Sequence, residues 1–167
     1  MVLKTAAIDI PHKTEQDGVV LNIKNLLELT AAYEEMSLRL GSRVLVSSMV
    51  TQGTEVGLGV INDENFGPFL MISAGGIFIE IMNDRAVSLM PVTPKEADDL
   101  LSSLKINKLI QGIRGRSIQD RAGLIKIIMA LSQLALELQD YISEIDINPV
   151  IVNDSQSVAV DGLVLLK

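Results

Sequence analysis

The sequence has no cysteine, a single histidine and an excess of acidic residues that gives a net charge of −7. Without cysteine there is no disulfide framework, no thiolate zinc site and no cysteine nucleophile, and the expected compartment is the cytoplasm. Because His12 is the sole imidazole, a clustered histidine metal site is excluded, and a cation would need oxygen ligands such as Asp and Asn. The acidic balance argues against binding to nucleic acid or to an anionic membrane through general electrostatics.

Long apolar runs are also missing, although 48% of the 167 residues are hydrophobic. The longest mainly apolar stretch, residues 69–82, is interrupted by Ser73, Gly75, Gly76 and Glu80, so it is too short and too broken to span a bilayer. The first residues have no basic segment leading into an apolar one, as a secretion signal would. We therefore expect a globular protein with a substantial core.

The first part of the chain reads as strand, loop, strand and helix. Short β-type runs at 2–5 and 19–23 flank a polar segment that carries His12. Apolar residues then recur at helical spacing over 26–40, and Gly41 is a natural terminator for that helix.

The remainder alternates β-rich segments with helices. Residues 43–90 contain four or five β-type runs separated by turn residues, which favours a mainly antiparallel sheet. Residues 93–96, Thr-Pro-Lys-Glu, predict a capping box and a helix. An apolar helix, buried between layers, is predicted over 118–138, and two strands close the chain. The pattern as a whole predicts an α+β fold.

Three oxygen-bearing side chains are predicted to meet near the C-terminal end. Alternation places Asp146 and Asn148 on one face of a strand, and a returning strand could bring Asp161 opposite them. Such donors suit magnesium, which takes few protein ligands while it bridges nucleotide phosphates. An ordinary hairpin with polar strand ends would give the same spacing.

Two features near the start could handle phosphate. Lys4 on a strand can place a point charge against nucleotide phosphates, and His12 on a loop can attack a phosphoryl group. A lone surface histidine without a chemical role is the alternative for His12.

The paired glycines and a basic glycine loop are further candidates. Gly75 and Gly76 allow close approach of a backbone or a phosphate, and Glu80 could orient a histidine or accept its proton. Arg114, in the loop at 112–116, could clamp a phosphate. Hairpin glycines and a solvated arginine are the alternatives.

Five motifs in order resemble the ATP-grasp domain of NDP-forming acyl-CoA synthetases, as in the beta subunit of ADP-forming acetyl-CoA synthetase. They are HKTEQDGV at 12–19, FGP at 66–68, SAGGIFIE at 73–80, GIRGR at 112–116 and EIDINPV at 144–150. The resemblance implies antiparallel ATP-grasp sheets flanked by helices. It also implies that an acyl-CoA, phosphate and NDP are converted into the free acid, CoA and NTP through a phosphohistidine. The implied cofactors are Mg²⁺ and ATP or ADP, and the implied partner is a CoA-binding ligase domain or subunit.

The resemblance further implies a role for individual residues. His12 would carry the phosphoryl group with Glu80 as its partner, and Lys4 would contact the nucleotide phosphates. Asn148 and Asp161 would be the magnesium ligands, with Asp146 as a supporting carboxylate.

The sequence departs from the family pattern at three places. Asp17 stands where the family has the first of two glycines, Ser47-Ser48 replaces a Gln or Glu near the adenine, and Met1 falls in mid-strand. An incomplete N-terminal subdomain is therefore expected, with its remainder at 1–42 and the C-terminal subdomain at 43–167.

Such a chain is not expected to catalyse the full reaction alone. The alternative interpretation is a non-catalytic ATP-grasp-like interaction module, or a fragment without independent activity. Apolar surface left by a missing part could be buried by a partner or in a homo-oligomer.

Overall fold

The chain folds into two units, Met1–Val50 and Thr51–Lys167. The computed structural model describes residues 1–10, 13–76, 83–113 and 117–167. The first unit extends to Val50 because strand β3 (Val44–Ser47) pairs along its whole length with β1 (Val2–Thr5). The predicted subdomains, 1–42 and 43–167, stay predictions.

The first unit is a small antiparallel sheet with one long helix. Its strand order is β2–β1–β3, where β2 is Val19–Val20. Helix α1 (Leu26–Leu40) begins where Asn25 Oδ1 accepts the backbone N–H of Glu28, and it ends at Gly41, where φ is 87°. The predicted helix and its glycine terminator are confirmed. Leu3 of the sheet and Met36 of the helix are buried together with Ile23.

The second unit is built on a larger antiparallel sheet. Its strands are β4 (Thr54–Asp63), β5 (Gly67–Ala74), β6 (Arg85–Leu89), β7 (Ile142–Val152), β8 (Ser157–Ala159) and β9 (Leu163–Leu166). The order is β6–β5–β4–β7–β8, and β9 pairs with the first half of β7. The predicted fold class, α+β with mainly antiparallel sheets flanked by helices, is confirmed.

Three helices pack against this sheet: α2 (Pro94–Ser103), α3 (Asn107–Ile110) and α4 (Arg121–Glu137). The predicted capping box is present, since Thr93 Oγ1 accepts the N–H of Glu96 and the Glu96 carboxylate accepts the N–H of Thr93. Helix α4 buries one side through Leu124 and Ile128, whereas Leu134 is 42% exposed. The prediction that this helix is buried between layers was therefore wrong.

The two faces of the larger sheet differ in character. One face packs on the helices through apolar residues that alternate along the strands, including Leu58, Leu70 and Ile72. The intervening positions form what we call the opposite face. None of the described helices is long and apolar enough to cross a membrane.

Candidate functional site

The opposite face carries two rows of residues that run across the strands. In the first row, Arg85 of β6 pairs with Ser73 of β5, and Ser73 pairs with Gly57 of β4. In the second, Met71 pairs with Gly59, and Gly59 pairs with Asp146 of β7. Both β4 positions in these rows are glycine, so β4 contributes no side chain here, and the Met71 side chain lies over Gly59, with its Cε 3.3 Å from where a Cβ would be.

A bulge in β7 ends the first row at Asn148. The pairing steps from Leu58 opposite Ile147 to Val56 opposite Val150, so two β7 residues lie opposite Gly57 alone. The Asn148-Pro149 peptide bond is cis, and proline, which has no N–H to donate, is tolerated at a bulge. Bulges redirect side chains, and here Asn148 Oδ1 accepts the backbone N–H of Gly76 at 3.4 Å.

The paired glycines form a turn that packs tightly on β4. The N–H of Gly75 donates to the carbonyl oxygen of Glu55 at 2.8 Å, and a Cβ on Gly75 would lie 2.7 Å from that carbonyl carbon. Gly76 has a φ of 58°, and a Cβ there would collide with the Glu55 carboxylate. Both positions therefore require glycine, and the carboxylate of Glu55 lies beside the turn.

Asp161 lies in the connection between β8 and β9, beside the bulge. Val150 pairs with Ala159 and Asp146 pairs with Leu163, so residues 160–162 lie opposite 147–149. The N–H of Val160 donates to the Pro149 carbonyl at 3.1 Å, which fixes this connection against β7. The backbone thus brings the three predicted metal ligands to one end of the opposite face.

The donor chemistry at this end fits magnesium. Asn148 offers an amide oxygen and the two aspartates offer carboxylates, which are the hard ligands that Mg²⁺ prefers. Within the described ranges, no group of three or more His, Cys, Asp or Glu side chains is arranged to hold a metal ion. A site here would therefore depend on the amide oxygen of Asn148.

A cavity of about 140 Å³ lies on the opposite face next to this cluster. It is lined by Gly57, Gly59, Met71, Ser73, Arg85 and Asp146, together with the two residues before β6. Sequence reasoning missed Arg85 and Glu55, because the registers that place them beside the glycines join strands that are distant in sequence. Alternation within β6 groups Arg85 with Val87 and Leu89, but it gives no partner strand.

Lys4 lies on β1 in the first unit, as predicted, and only 6% of its surface is exposed. Its neighbour Leu3 faces α1 in the core, so Lys4 lies on the other face of that sheet.

The end of the histidine loop keeps a glycine-like backbone at Asp17. The φ of Asp17 is 50°, the left-handed conformation that glycine adopts freely and that aspartate tolerates better than most residues. Arg39 of α1 donates to the carbonyl oxygens of Gln16 at 3.4 Å and Asp17 at 3.3 Å. Asp17 therefore adopts a conformation that is open to glycine, and its carbonyl oxygen is bound by helix α1.

Three predicted site residues, His12, Glu80 and Arg114, lie outside the residues that the structure describes. Their assignments stay predictions.

Comparison with known proteins settles the family. A model of the ATP-grasp domain matches residues 1–166. The chain belongs to the ATP-grasp family. It is 33% identical over 177 residues to the beta subunit of acetate–CoA ligase (ADP-forming) II from Pyrococcus furiosus, and the match covers all of this chain and 75% of that subunit. The resemblance predicted from the five motifs is confirmed.

Other relatives are longer proteins. The chain is 37% identical over 160 residues to 4-hydroxybutyrate–CoA ligase (ADP-forming) from Nitrosopumilus maritimus, which covers 91% of this chain but 23% of the ligase. This ATP-grasp chain therefore spans about a quarter of that relative and three quarters of the beta subunit.

Solved structures share the fold over the whole chain. An acetyl-coenzyme A synthetase from Candidatus Korarchaeum cryptofilum superposes with a TM-score of 0.88 at 27% identity, covering 100% of this chain and 76% of that one. That structure is a complex with coenzyme A and Mg-AMPPCP in which the phosphohistidine segment points towards the nucleotide site. PH1788 from Pyrococcus horikoshii gives a TM-score of 0.89 at 35% identity, covering 99% of this chain and 74% of that one.

Proposed function

We propose that this ATP-grasp chain is the nucleotide-binding phosphoryl-transfer module of an NDP-forming acyl-CoA synthetase. In the overall reaction an acyl-CoA, phosphate and NDP give the free acid, CoA and NTP. The module binds ATP or ADP with magnesium and passes a phosphoryl group between His12 and the nucleotide.

One observation carries the proposal: Asn148, the paired-glycine turn and the Asp161 connection meet beside a face whose centre is glycine. Backbone N–H groups bind phosphate oxygens, and hard oxygen ligands bind magnesium, so the two together suit a magnesium nucleotide. The similarity of the chain to ADP-forming ligases supports the type of reaction that we propose.

The chemistry divides between the metal and the side chains of the chain. Asn148 and Asp161 would hold a magnesium ion, with Asp146 as a supporting carboxylate, and the ion would supply positive charge against the phosphates. Lys4 and Arg114 are the proposed cationic contacts to phosphate, and Gly75 and Gly76 are the proposed backbone contacts.

His12 acts as the nucleophile when its imidazole is neutral. In the ATP-forming direction the P–N bond of phosphohistidine breaks and a P–O bond to the terminal phosphate of ADP forms. Glu80 is the proposed partner of the histidine, and it would hold the second ring nitrogen.

In this proposal the module catalyses only the phosphoryl transfer between His12 and the nucleotide. A CoA-binding ligase domain or subunit acts on the acyl-CoA and exchanges phosphate with His12, and both work in the cytoplasm. A homo-oligomer stays a prediction.

The test is transfer of label from γ-³²P-ATP and magnesium to the chain. We expect an acid-labile phosphoryl label that is lost in His12→Ala and kept in Thr14→Ala, a neighbouring exposed position in the same loop. Label that persists in His12→Ala would show that another residue is the carrier.

A thermal unfolding series separates this function from a non-catalytic module. Magnesium nucleotide at a hundred times its dissociation constant stabilises a protein by about 2.7 kcal/mol. A non-catalytic module that has lost its nucleotide site would show no such shift.

A further inference from the structure

The strongest unassigned feature is Arg85, at the far end of the row that ends at Asn148. The row runs from Arg85 through Ser73 and Gly57 to the bulge, so neighbouring strands carry a small side chain and then none. The row has a cation at one end and the candidate magnesium ligand at the other.

The row is short enough for Arg85 and Asn148 to contact one ligand. Neighbouring strands lie about 4.8 Å apart, so three strand spacings separate the Cα atoms of Arg85 and Asn148 by about 14 Å. An extended arginine side chain covers about half of that distance. The Asn148 side chain, a metal ion and the phosphoryl group bound to it share the remaining distance.

The start of β6 is held firmly enough to aim Arg85. The neighbouring Asp84 is only 7% exposed, and its carboxylate accepts the N–H groups of Lys105 and Ile106, each at 2.8 Å. The Asp84 carbonyl accepts the N–H of Ala74 at 3.1 Å. These contacts fix the residue that precedes Arg85, so the side chain starts from a defined position.

The donors of the Arg85 guanidinium are available to a ligand. Arg85 is the cation among the residues that line the 140 Å³ cavity, where Asp84 and Asp146 supply negative charge. Among the described residues, none forms a hydrogen bond or an ion pair with its guanidinium. Its forked donors match phosphate oxygens in geometry.

We infer that Arg85 contacts the terminal phosphoryl group of the bound nucleoside triphosphate. The inference rests on the proposed function and extends it, since it names a residue of the second unit that distinguishes a triphosphate from a diphosphate. Arg85 binds the group to be transferred from the side remote from the metal ligands.

The test compares Arg85→Gln with Lys126→Gln by calorimetric titration of the full chain with Mg-ATP and Mg-ADP. Lys126 is exposed on α4, which packs on the other face of the sheet, so both variants lose one positive charge. A charge-assisted hydrogen bond corresponds to about 10- to 100-fold in affinity. We expect Arg85→Gln to weaken the binding of Mg-ATP by that factor and the binding of Mg-ADP by less than about threefold. Lys126→Gln should leave both affinities unchanged. Arg85→Lys should restore part of the loss.

The other outcomes separate this inference from the proposed function. If Arg85→Gln weakened the binding of both nucleotides equally, or weakened neither, the contact to the terminal phosphoryl group would be overturned. The proposed nucleotide site would not be affected by that result. An unmodified chain that binds neither nucleotide would overturn the proposed function and this inference with it.

Discussion

The backbone of Gly75 and the backbone of Glu55 are in direct contact: the N–H of the first donates to the carbonyl of the second at 2.8 Å. This hydrogen bond ties the turn after β5 to the start of β4, just beyond the last paired residues of the two strands, Val56 and Ala74. The turn is consequently part of the sheet and not a free loop above it.

Gly75→Ala should destabilise the second unit by about 1–3 kcal/mol, because the added methyl group meets backbone that cannot rotate away. Its distances to the Glu55 carbonyl carbon and to the Val56 nitrogen would be 2.7 Å and 2.8 Å. The free energy of unfolding in urea measures the effect. Gly162→Ala is the control, since its Cβ would lie at an ordinary 3.7 Å from the Asp146 carbonyl, and a change below about 1 kcal/mol is expected. Equal stabilities for the two variants would refute the close packing of this turn.

Asp161→Asn should raise the magnesium concentration needed for nucleotide-induced stabilisation by about tenfold or more, because it removes one ligand charge. The measurement is a magnesium titration of the thermal shift at fixed ATP. Asp154→Asn changes an exposed carboxylate in the turn between β7 and β8 and should behave as the unmodified chain. The ligand assignment fails if the two variants need the same magnesium concentration.

The capping box of α2 should make stability depend on pH. Hydrogen bonds from the N–H and the hydroxyl of Thr93 hold the pKa of Glu96 below its ordinary value of 4.5. Because the pKa of Glu96 is lower in the folded state than in the unfolded state, the stabilisation is present above pH 4.5. It is lost as the pH falls through that value and below it.

Urea unfolding from about pH 6 to about pH 3 tests the capping box, since this range spans the ordinary glutamate pKa. Glu96→Gln should lose less stability over that range than the unmodified chain, because the titrating partner of Thr93 is gone. Glu64→Gln, at an exposed hairpin turn, should follow the unmodified chain. Identical pH profiles for both variants would contradict the role of Glu96.

Local signals predicted the elements of this fold well. The capping box at Thr93 and the terminator at Gly41 depend on contacts within a few residues, which a sequence displays directly. The five motifs identified the family for the same reason, since each is a short segment with its own backbone requirement. The placement of Asp146 and Asn148 on one strand also needed only alternation.

The pairing of distant strands could not be predicted from the sequence. The hydrophobic pattern marks β3 as a strand, but it does not say that β3 joins β1 instead of β4. Arg85 and Glu55 were missed because their neighbours in the site belong to other strands. For α4, an apolar composition predicted burial on most sides, yet Leu134 remains 42% exposed because only one side meets the sheet.

The pairing of β4 with β7 has a consequence for the order of folding. It joins Val56 to Val150 across most of the second unit, whereas β4 and β5 meet through a short hairpin. Long loops close slowly, so the hairpin that carries the paired glycines can form before the strand that carries Asn148 arrives. The glycine turn and the proposed metal ligands would then first meet at a late step of folding, and a chain that stopped short of β7 would have the turn without Asn148 beside it.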